Sequence, residues 1–145
     1  PKGYLNNEKA IWASALRYAR NYLLDLQYGS NGFVDWNVLL DEKGGPNHVG
    51  NYCEAPLMRN GDAIKINPSY YAIKHLSAFL DPGCSMIPVK SEKGLLCVAA
   101  MNPDGSLSFI VFNEKSKENH LCFSWKNQNY SFDIQKDEIV SLRIK

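Results

Sequence analysis

The hydrophobic pattern of the sequence changes near Gly83, and this change constrains the fold more than any other feature. Before it, two segments repeat apolar residues at helical spacing, at about 7–27 and 67–81. After it, five or six short runs of strand length alternate with polar turns. The sequence therefore predicts an α/β portion at residues 1–82 and a separate β domain at residues 83–145.

The first predicted helix has signals at both ends. Asn6 and Asn7 can cap its N terminus, Glu8 suits the positive end of the helix dipole, and Gly29 offers a stop. Its apolar residues recur at helical spacing: Ile11, Trp12, Leu16, Ala19, Leu23 and Leu26. The run Gly32-Phe33-Val34-Asp35-Trp36-Asn37 then has the length of a buried strand, so the two elements form one step of an α/β repeat.

A long segment rich in Gly, Pro and Asn separates this strand from the second helix. A loop of about thirty residues inside a compact domain is usually functional or disordered, and aromatic residues such as Tyr52 favour an ordered one. The second helix begins at Asn67-Pro68, an N-cap followed by proline at the first helical position, and ends near Asp81-Pro82-Gly83.

The predicted β domain is built from short strands joined by turns. Asn102-Pro103-Asp104-Gly105 is a strong hairpin signal, because Pro suits the second turn position and Gly a positive φ. The spacing of the strands favours an antiparallel sandwich. The strands are predicted at 84–89, 95–101, 107–112, 121–125, 130–134 and 139–144.

Composition and cysteine spacing exclude several functional classes. The net charge is +1, from 16 basic and 15 acidic residues. This balance lacks the excess of basic residues that is typical of nucleic-acid-binding proteins. No apolar run approaches the roughly 20 residues that span a bilayer. The four cysteines form no CxxC pair, and the histidines lack ligand-spaced companions, so we expect no metal and no cofactor. Cys97 and Cys122 lie in apolar runs, which leaves buried free thiols or one disulfide open.

Four groups of residues resemble glycoside hydrolase family 30, the family of acid β-glucosidase (glucosylceramidase). They occur in the family's order and cover nearly the whole chain. GGPN alone is a weak motif, whereas the ordered set is specific. The groups are Phe33-Val34-Asp35-Trp36-Asn37, then Gly44-Gly45-Pro46-Asn47 with Asn51, then Pro68 to Phe79 with Pro82-Gly83, and last Asn102-Pro103-Asp104-Gly105-Ser106.

The resemblance implies the C-terminal end of a (β/α)₈ TIM barrel followed by a β-sandwich. A whole barrel takes about 250 residues, and the chain begins at Pro1 without an initiator Met, so we expect a C-terminal fragment. The first helix would be the seventh barrel helix and Phe33 to Asn37 the eighth strand. The long loop would then lie at the C-terminal face of the barrel, where such enzymes place their sites.

The resemblance also implies the reaction. Family 30 enzymes are retaining β-glycosidases, which use two carboxyl groups about 5 Å apart for double displacement. Both catalytic glutamates lie at the ends of earlier barrel strands, so this fragment is expected to contain neither and to be inactive alone. Glu8, Glu42 and Glu54 are therefore interpreted as non-catalytic.

The substrate class and the location follow from the same resemblance. GGPN with Asn51 favours the glucosidase and β-1,6-glucanase side of the family over the xylanases. The expected substrate is a β-glucoside or glycolipid, and the expected location is secreted, periplasmic or lysosomal.

Three residues are candidates for the substrate site. Trp36 can offer an indole face and one N–H donor to a sugar ring, and the family's matching Trp lines the glycone pocket; the alternative is a core Trp. Asn51 matches a residue of the same pocket, although an amide in a loop can also bond its own backbone. Asp35 lies on the opposite side of the strand, where a buried carboxylate would need a basic partner or several N–H donors. A structural ion pair that supports the site is expected there rather than sugar contact. His48 stands where the glucosylceramidase pattern has an aromatic residue, which weakens the case for a lipid-contacting surface.

Two other functions remain open from the sequence. A carbohydrate-binding β-module would need exposed aromatic residues aligned on one sheet face, such as Phe109, Trp125 and Tyr130. Their spacing equally fits core alternation. A structural domain without a ligand would be preferred if Trp36 were buried beneath a closed loop. Asn129-Tyr130-Ser131 is a formal N-glycosylation sequon, a triplet that is common by chance.

Overall fold

The computed structural model describes residues 7–45 and 53–145, and the chain divides into two compact units between Lys74 and His75. Both predicted helices are confirmed, although the second ends at Ser77, before the predicted Asp81-Pro82-Gly83, and strands occur in both units. In chain order the elements are α1 Glu8–Gln27, β1 Leu39–Leu40, β2 Leu57–Asn60, β3 Ala63–Ile66, α2 Pro68–Ser77, β4 Ser85–Ile87, β5 Leu95–Met101, β6 Leu107–Asn113, β7 Asn119–Trp125, β8 Gln128–Ile134 and β9 Ile139–Ile144.

Helix α1 begins where its capping signal predicts. The Asn7 side chain accepts a hydrogen bond from the Ala10 backbone N–H at 3.2 Å, which satisfies one donor that the first turn leaves unpaired. One face of the helix is buried along Ile11, Ala15, Ala19, Leu23 and Leu26. The predicted apolar stripe was wrong at Trp12, which is 59% exposed.

The first unit contains a small three-stranded sheet in the order β1-β2-β3. The strand predicted at 32–37 was wrong in its placement, because ladder pairing begins only at Leu39, which pairs in parallel with Leu57. A strand exists only where a neighbour supplies backbone partners, and no strand of the described ranges lies beside residues 32–37.

The segment interpreted as a continuous loop also contains a hairpin. Strands β2 and β3 pair antiparallel around the two-residue connection Gly61-Asp62, and Gly61 has a φ of 62°. Gly at this position allows the mirror-image turns that match the twist of a hairpin.

The second unit is a two-layer β structure, as predicted. One layer is an antiparallel sheet in the order β4-β5-β6-β9, and the other is the β7–β8 ribbon. Apolar residues of β5 and β6 form one core with Leu121 and Ile134 of the ribbon: Leu95, Cys97, Ala99, Leu107, Phe109 and Val111. The predicted strand positions are confirmed to within a few residues at each end.

The β5–β6 hairpin is fixed by a buried asparagine. Gly105 has a φ of 79°, as the turn signal predicts. The Asn102 amide donates to Ser106 Oγ and Ser108 Oγ at 3.1 and 2.8 Å, and its Oδ1 accepts from the Asp81 backbone N–H at 3.1 Å. The turn and the chain that enters the sheet are therefore held by one side chain.

The C-terminal end of α2 and the chain that follows it are tied to β9 within the second unit. His75 lies in α2, and its Nδ1 is 2.9 Å from Ser141 Oγ, so this histidine is hydrogen-bonded. Arg143 donates to the Phe79 carbonyl and pairs with the Asp81 carboxylate at 2.7 Å. These contacts fix the start of the β unit.

All four cysteines are free thiols, but they differ in accessibility. Cys97 is buried in the core, whereas Cys122 is exposed, which corrects the expectation that both are buried. Strand β7 alternates between its two faces, and Cys122 lies on the outer one.

We expect Cys97 to react with iodoacetamide at least about tenfold more slowly than Cys122 at pH 8. Burial raises the pKa of the Cys97 thiol to about 11, which lowers the thiolate population; the greater nucleophilicity of a more basic thiolate offsets only part of that loss. Mass spectrometry of labelled peptides over time measures both rates, and the same labelling in denaturant is the control. Equal rates in the folded chain would contradict the buried position of Cys97.

Candidate functional site

The candidate site is built on residues 32–37, which run beside helix α1 in the first unit. The Phe33 ring packs on the Tyr22 ring, with centroids 4.3 Å apart. Two residues later, the Asp35 carboxylate accepts hydrogen bonds from the hydroxyl groups of Tyr18 and Tyr22 at 3.2 and 3.3 Å. Phe33 and Asp35 therefore both face α1.

Val34 and Trp36 are not held against α1 in this way. The exposed fractions of their side chains are 103% and 88%. Successive side chains of an extended chain point to opposite sides, which accounts for two highly exposed apolar residues beside two that contact the helix. The Trp36 indole is thus accessible in this chain, which removes the condition under which a structural domain without a ligand was preferred.

Asp35 also fixes the backbone of its neighbour. One carboxylate oxygen accepts the Trp36 backbone N–H at 2.8 Å. The expected ion pair is not found among the described residues; the recorded donors to Asp35 are two phenols and one backbone N–H. Burial, and then the negative charge of Asp35, raise the pKa of Tyr22 well above its usual range, so this phenol stays protonated and able to donate.

The loop that follows begins with a turn organised by Asp41. Its carboxylate accepts the backbone N–H groups of Lys43 and Gly45 at 2.9 and 2.8 Å, and Gly44 has a φ of 76°. These two backbone donors hold the pKa of Asp41 below its ordinary value. Gly44 and Gly45 thus both take part in this turn. Asn51 and His48, with Pro46 and Asn47, lie outside the described residues.

The contacts described for the three glutamates of this unit are with residues other than Trp36. Glu8 occupies the first turn of α1. Glu42 and Glu54 line a separate cleft with Arg59 and Lys65, and the Glu54 carboxylate accepts a hydrogen bond from Ser69 Oγ at 3.3 Å. Sequence reasoning did not single out Tyr18 and Tyr22. Their spacing of four residues, on the helix that precedes the strand, is the signal that could have indicated two donors on one helix face.

The aromatic residues of the β unit do not form an exposed platform. Phe109 is 5% exposed and belongs to the core. The Phe123 ring stacks between Phe109 and Tyr130, at centroid distances of 4.4 and 5.0 Å, and Trp125 packs against the same core. This arrangement indicates that the aromatic residues alternate along the strands to face the core, and it disfavours an exposed row of side chains that could stack on sugars.

The described ranges lack two other kinds of functional feature. They contain no group of three or more His, Cys, Asp or Glu side chains placed to hold a metal ion. No helix within them is both long and apolar enough to cross a bilayer.

Comparisons with known proteins match both parts of the chain. The model of the glycosyl hydrolase family 30 TIM-barrel domain matches residues 5–80, and the model of the family's β-sandwich domain matches residues 83–142. The chain is 31% identical over 117 residues to lysosomal acid glucosylceramidase of Mus musculus, covering 78% of this chain and 23% of that protein.

Two solved structures share the fold. SrfJ from Salmonella typhimurium superposes with a TM-score of 0.81 at 31% identity, covering 90% of this chain and 31% of that one. An endo-β1,6-glucanase superposes with a TM-score of 0.78 at 27% identity, covering 88% of this chain and 31% of that one. The chain therefore spans less than a quarter of the curated relative and less than a third of either solved chain.

Proposed function

Because the chain belongs to glycosyl hydrolase family 30, we propose that it is the C-terminal part of a retaining β-glycosidase that hydrolyses β-glucosides. Residues 1–82 supply the end of the catalytic TIM barrel and residues 83–145 the β-sandwich. The two family models, which meet between residues 80 and 83, support this boundary.

The observation that carries the proposal is the exposure of Trp36 beside a tethered Asp35. A barrel enzyme places its site at the C-terminal ends of the strands, and Trp36 lies at that end of the segment that follows α1. Its indole offers an apolar face to the C–H groups of a pyranose, and its N–H can donate to a sugar hydroxyl. We assign Trp36 to the glucose-binding pocket.

Asp35 acts as a positioning residue in this proposal. Its carboxylate joins two phenols of α1 to the backbone N–H of Trp36. A side chain held by its own neighbours loses less freedom when substrate binds, which favours affinity. Asp35 therefore supports the Trp36 backbone without contacting the sugar.

Asn51 is the second proposed substrate ligand. The proposal is supported by its place in the sequence between β1 and β2, which pair in parallel shortly after Trp36. An amide can donate to one sugar hydroxyl and accept from another.

Neither catalytic glutamate belongs to this chain in the proposal. Double displacement needs two carboxyl groups about 5 Å apart, whereas Glu8 is placed at a helix start and Glu54 is hydrogen-bonded to Ser69. Both catalytic groups would come from earlier strands of the barrel.

The names of the relatives indicate the substrate and the location. One relative is named a glucosylceramidase and one solved neighbour an endo-β1,6-glucanase, so the shared chemistry is cleavage of a β-linked glucosyl unit. We propose a β-glucoside or a glucosyl glycolipid as substrate. The relative is also named lysosomal, and we propose a lysosomal or extracellular location.

We expect the 145-residue chain alone to show no turnover of an aryl β-glucoside. A complete enzyme ending in this chain should hydrolyse the same substrate with retention of anomeric configuration, which proton NMR of the first-formed sugar measures. Robust turnover by the isolated chain would contradict the assignment of both catalytic glutamates to the preceding barrel strands. Inversion by the complete enzyme would contradict double displacement.

A further inference from the structure

The β7–β8 ribbon has one face in the core and one face in solvent. Leu121, Phe123 and Trp125 of β7 pack inward, while the residues between them point outward. Strand β8 alternates in the same way. The outer face is wholly polar apart from its cysteine thiol: His120, Cys122, Ser124, Asn129, Ser131 and Asp133.

This outer face contains an intact N-glycosylation sequon, Asn129-Tyr130-Ser131. The acceptor sequence is Asn-x-Ser/Thr with any residue except proline at x. The chain has one other Asn-x-Ser triplet, Asn67-Pro68-Ser69, which proline excludes and whose asparagine is only 2% exposed. The sequence therefore offers a single acceptor.

The structure presents this sequon in an accessible form. Asn129 is the second residue of β8, directly after the tight turn at Lys126-Asn127, where both residues have positive φ. Asn129 and Ser131 are exposed, whereas Tyr130 turns inward onto Phe123. The side chain that a transferase must reach and the hydroxyl that defines the sequon thus share the solvent face.

A hydrogen bond also orients the acceptor amide. Ser124 Oγ donates to Asn129 Oδ1 at 2.6 Å across the ribbon. This contact occupies the amide oxygen, and no hydrogen bond from Asn129 Nδ2 is recorded within the described part of the chain. The nitrogen that would receive a glycan is therefore not engaged in a hydrogen bond within the described residues.

We propose that Asn129 is an N-glycosylation site, whose glycan covers the outer face of the β7–β8 ribbon. The donor is a polyprenyl-diphosphate-linked oligosaccharide. A bond forms between Asn129 Nδ2 and C1 of the first sugar, the bond between C1 and the diphosphate oxygen breaks, the amide gives up one proton, and polyprenyl diphosphate leaves. The site requires passage through a compartment that holds this donor, so for the natural protein it rests on the lysosomal or extracellular location proposed above.

The ribbon register gives the proposal a consequence that depends on the fold. Cys122 pairs directly with Ser131, and Ser124 with Asn129. Asn129 and Cys122 are therefore diagonal neighbours on one face, at a Cβ separation of roughly 7–8 Å. A glycan on Asn129 lies beside the exposed thiol and limits the approach of a bulky reagent.

The test is expression of the 145-residue chain in a eukaryotic cell, directed to the endoplasmic reticulum by a cleavable signal sequence, with the chain recovered from both the cells and the medium. We expect the mass of one glycan, removed by peptide N-glycosidase, which converts the glycosylated Asn129 to aspartate. Asn129→Gln and Ser131→Ala should abolish it, Ser131→Thr should retain it, and Asn127→Gly, a change in the adjacent turn outside the sequon, should leave it unchanged. An unmodified Asn129 in the secreted chain would overturn the proposal.

A second measurement tests the position of the glycan. Labelling of Cys122 by a polyethylene-glycol maleimide should become several-fold faster after enzymatic removal of the glycan, and the Asn129→Asp chain, which carries the same residue as the deglycosylated chain, should match the deglycosylated rate. Equal labelling rates of Cys122 before and after removal of the glycan would overturn the proposal that the glycan covers this face. Because the signal sequence supplies the compartment and no assay of hydrolysis is involved, neither outcome depends on whether the proposed glycosidase function is correct.

Discussion

Replacing Trp36 with alanine in a complete enzyme that ends in this chain is expected to lower kcat/KM for an aryl β-glucoside about 100-fold, or about 2.7 kcal/mol. The change removes a large apolar face and an indole donor from the proposed glucose pocket. Because the side chain is 88% exposed in this chain, little packing is lost within the described fold. Kinetics and thermal unfolding of the same preparations measure both effects.

The controls separate sugar contact from general damage. Trp12→Ala removes a second exposed indole from the same unit, and it should leave kcat/KM within about twofold. Trp36→Phe keeps a ring face but loses the N–H donor, and we expect an intermediate loss. Wild-type kcat/KM in Trp36→Ala would contradict the assignment of this residue to the pocket. A large fall in unfolding temperature with Trp36→Ala would instead indicate a core role.

Replacing Asn113 with alanine is expected to destabilise the chain by about 3–4 kcal/mol, because several buried backbone groups lose their partner at once. Asn113 is fully buried. Its amide nitrogen lies within hydrogen-bond distance of the carbonyls of Lys117, Ile134 and Gln135, and its Oδ1 accepts the Lys115 backbone N–H at 2.9 Å. One side chain therefore joins the ends of β6 and β8 to the turn that leads into β7.

Thermal and urea unfolding of the 145-residue chain measure this loss. We expect the midpoint of the thermal transition to fall by about 10 °C. The matched control is Asn129→Ala in protein from a bacterial host, since Asn129 is exposed and its side chain makes one recorded hydrogen bond, to Ser124. That variant should change stability by less than about 1 kcal/mol. A small effect of Asn113→Ala would show that water replaces the amide at these carbonyls.

The sequence predicts the β unit well because its local signals agree. Turn residues fall between runs of alternating residues, and the Asn102-Pro103-Asp104-Gly105 turn was placed correctly. Helix α1 was predicted with a cap at Asn6 or Asn7, and the structure has Asn7, since capping is decided by a few adjacent residues.

The errors arose where long-range partners decide the structure. Residues 32–37 have strand-like composition, but the recorded ladder begins at Leu39 because pairing depends on a neighbouring strand. The β2–β3 hairpin was missed although Asn60-Gly61 is a hairpin signal; its flanking strands are only four residues long and are surrounded by turn-forming residues.

The candidate site could be predicted only in part. Alternation predicts that Asp35 and Trp36 lie on opposite sides of the chain. The structure agrees, because Asp35 contacts α1 whereas Trp36 is highly exposed. The partners of Asp35 could not be predicted, because Tyr18 and Tyr22 lie more than ten residues away on another element. The roles of Trp36 and Asn51 in binding sugar stay predictions.

The parallel pairing of β1 with β2 has a consequence for how such a chain can diverge. Leu39 opposite Leu57 and Leu40 opposite Met58 bring together two points that are eighteen residues apart in the sequence. Because both ends of the intervening segment are anchored to the same small sheet, lengthening the segment costs little additional chain entropy. Insertions and deletions between β1 and β2 can therefore accumulate while the paired strands keep their register, so related chains can differ in length here without losing the sheet.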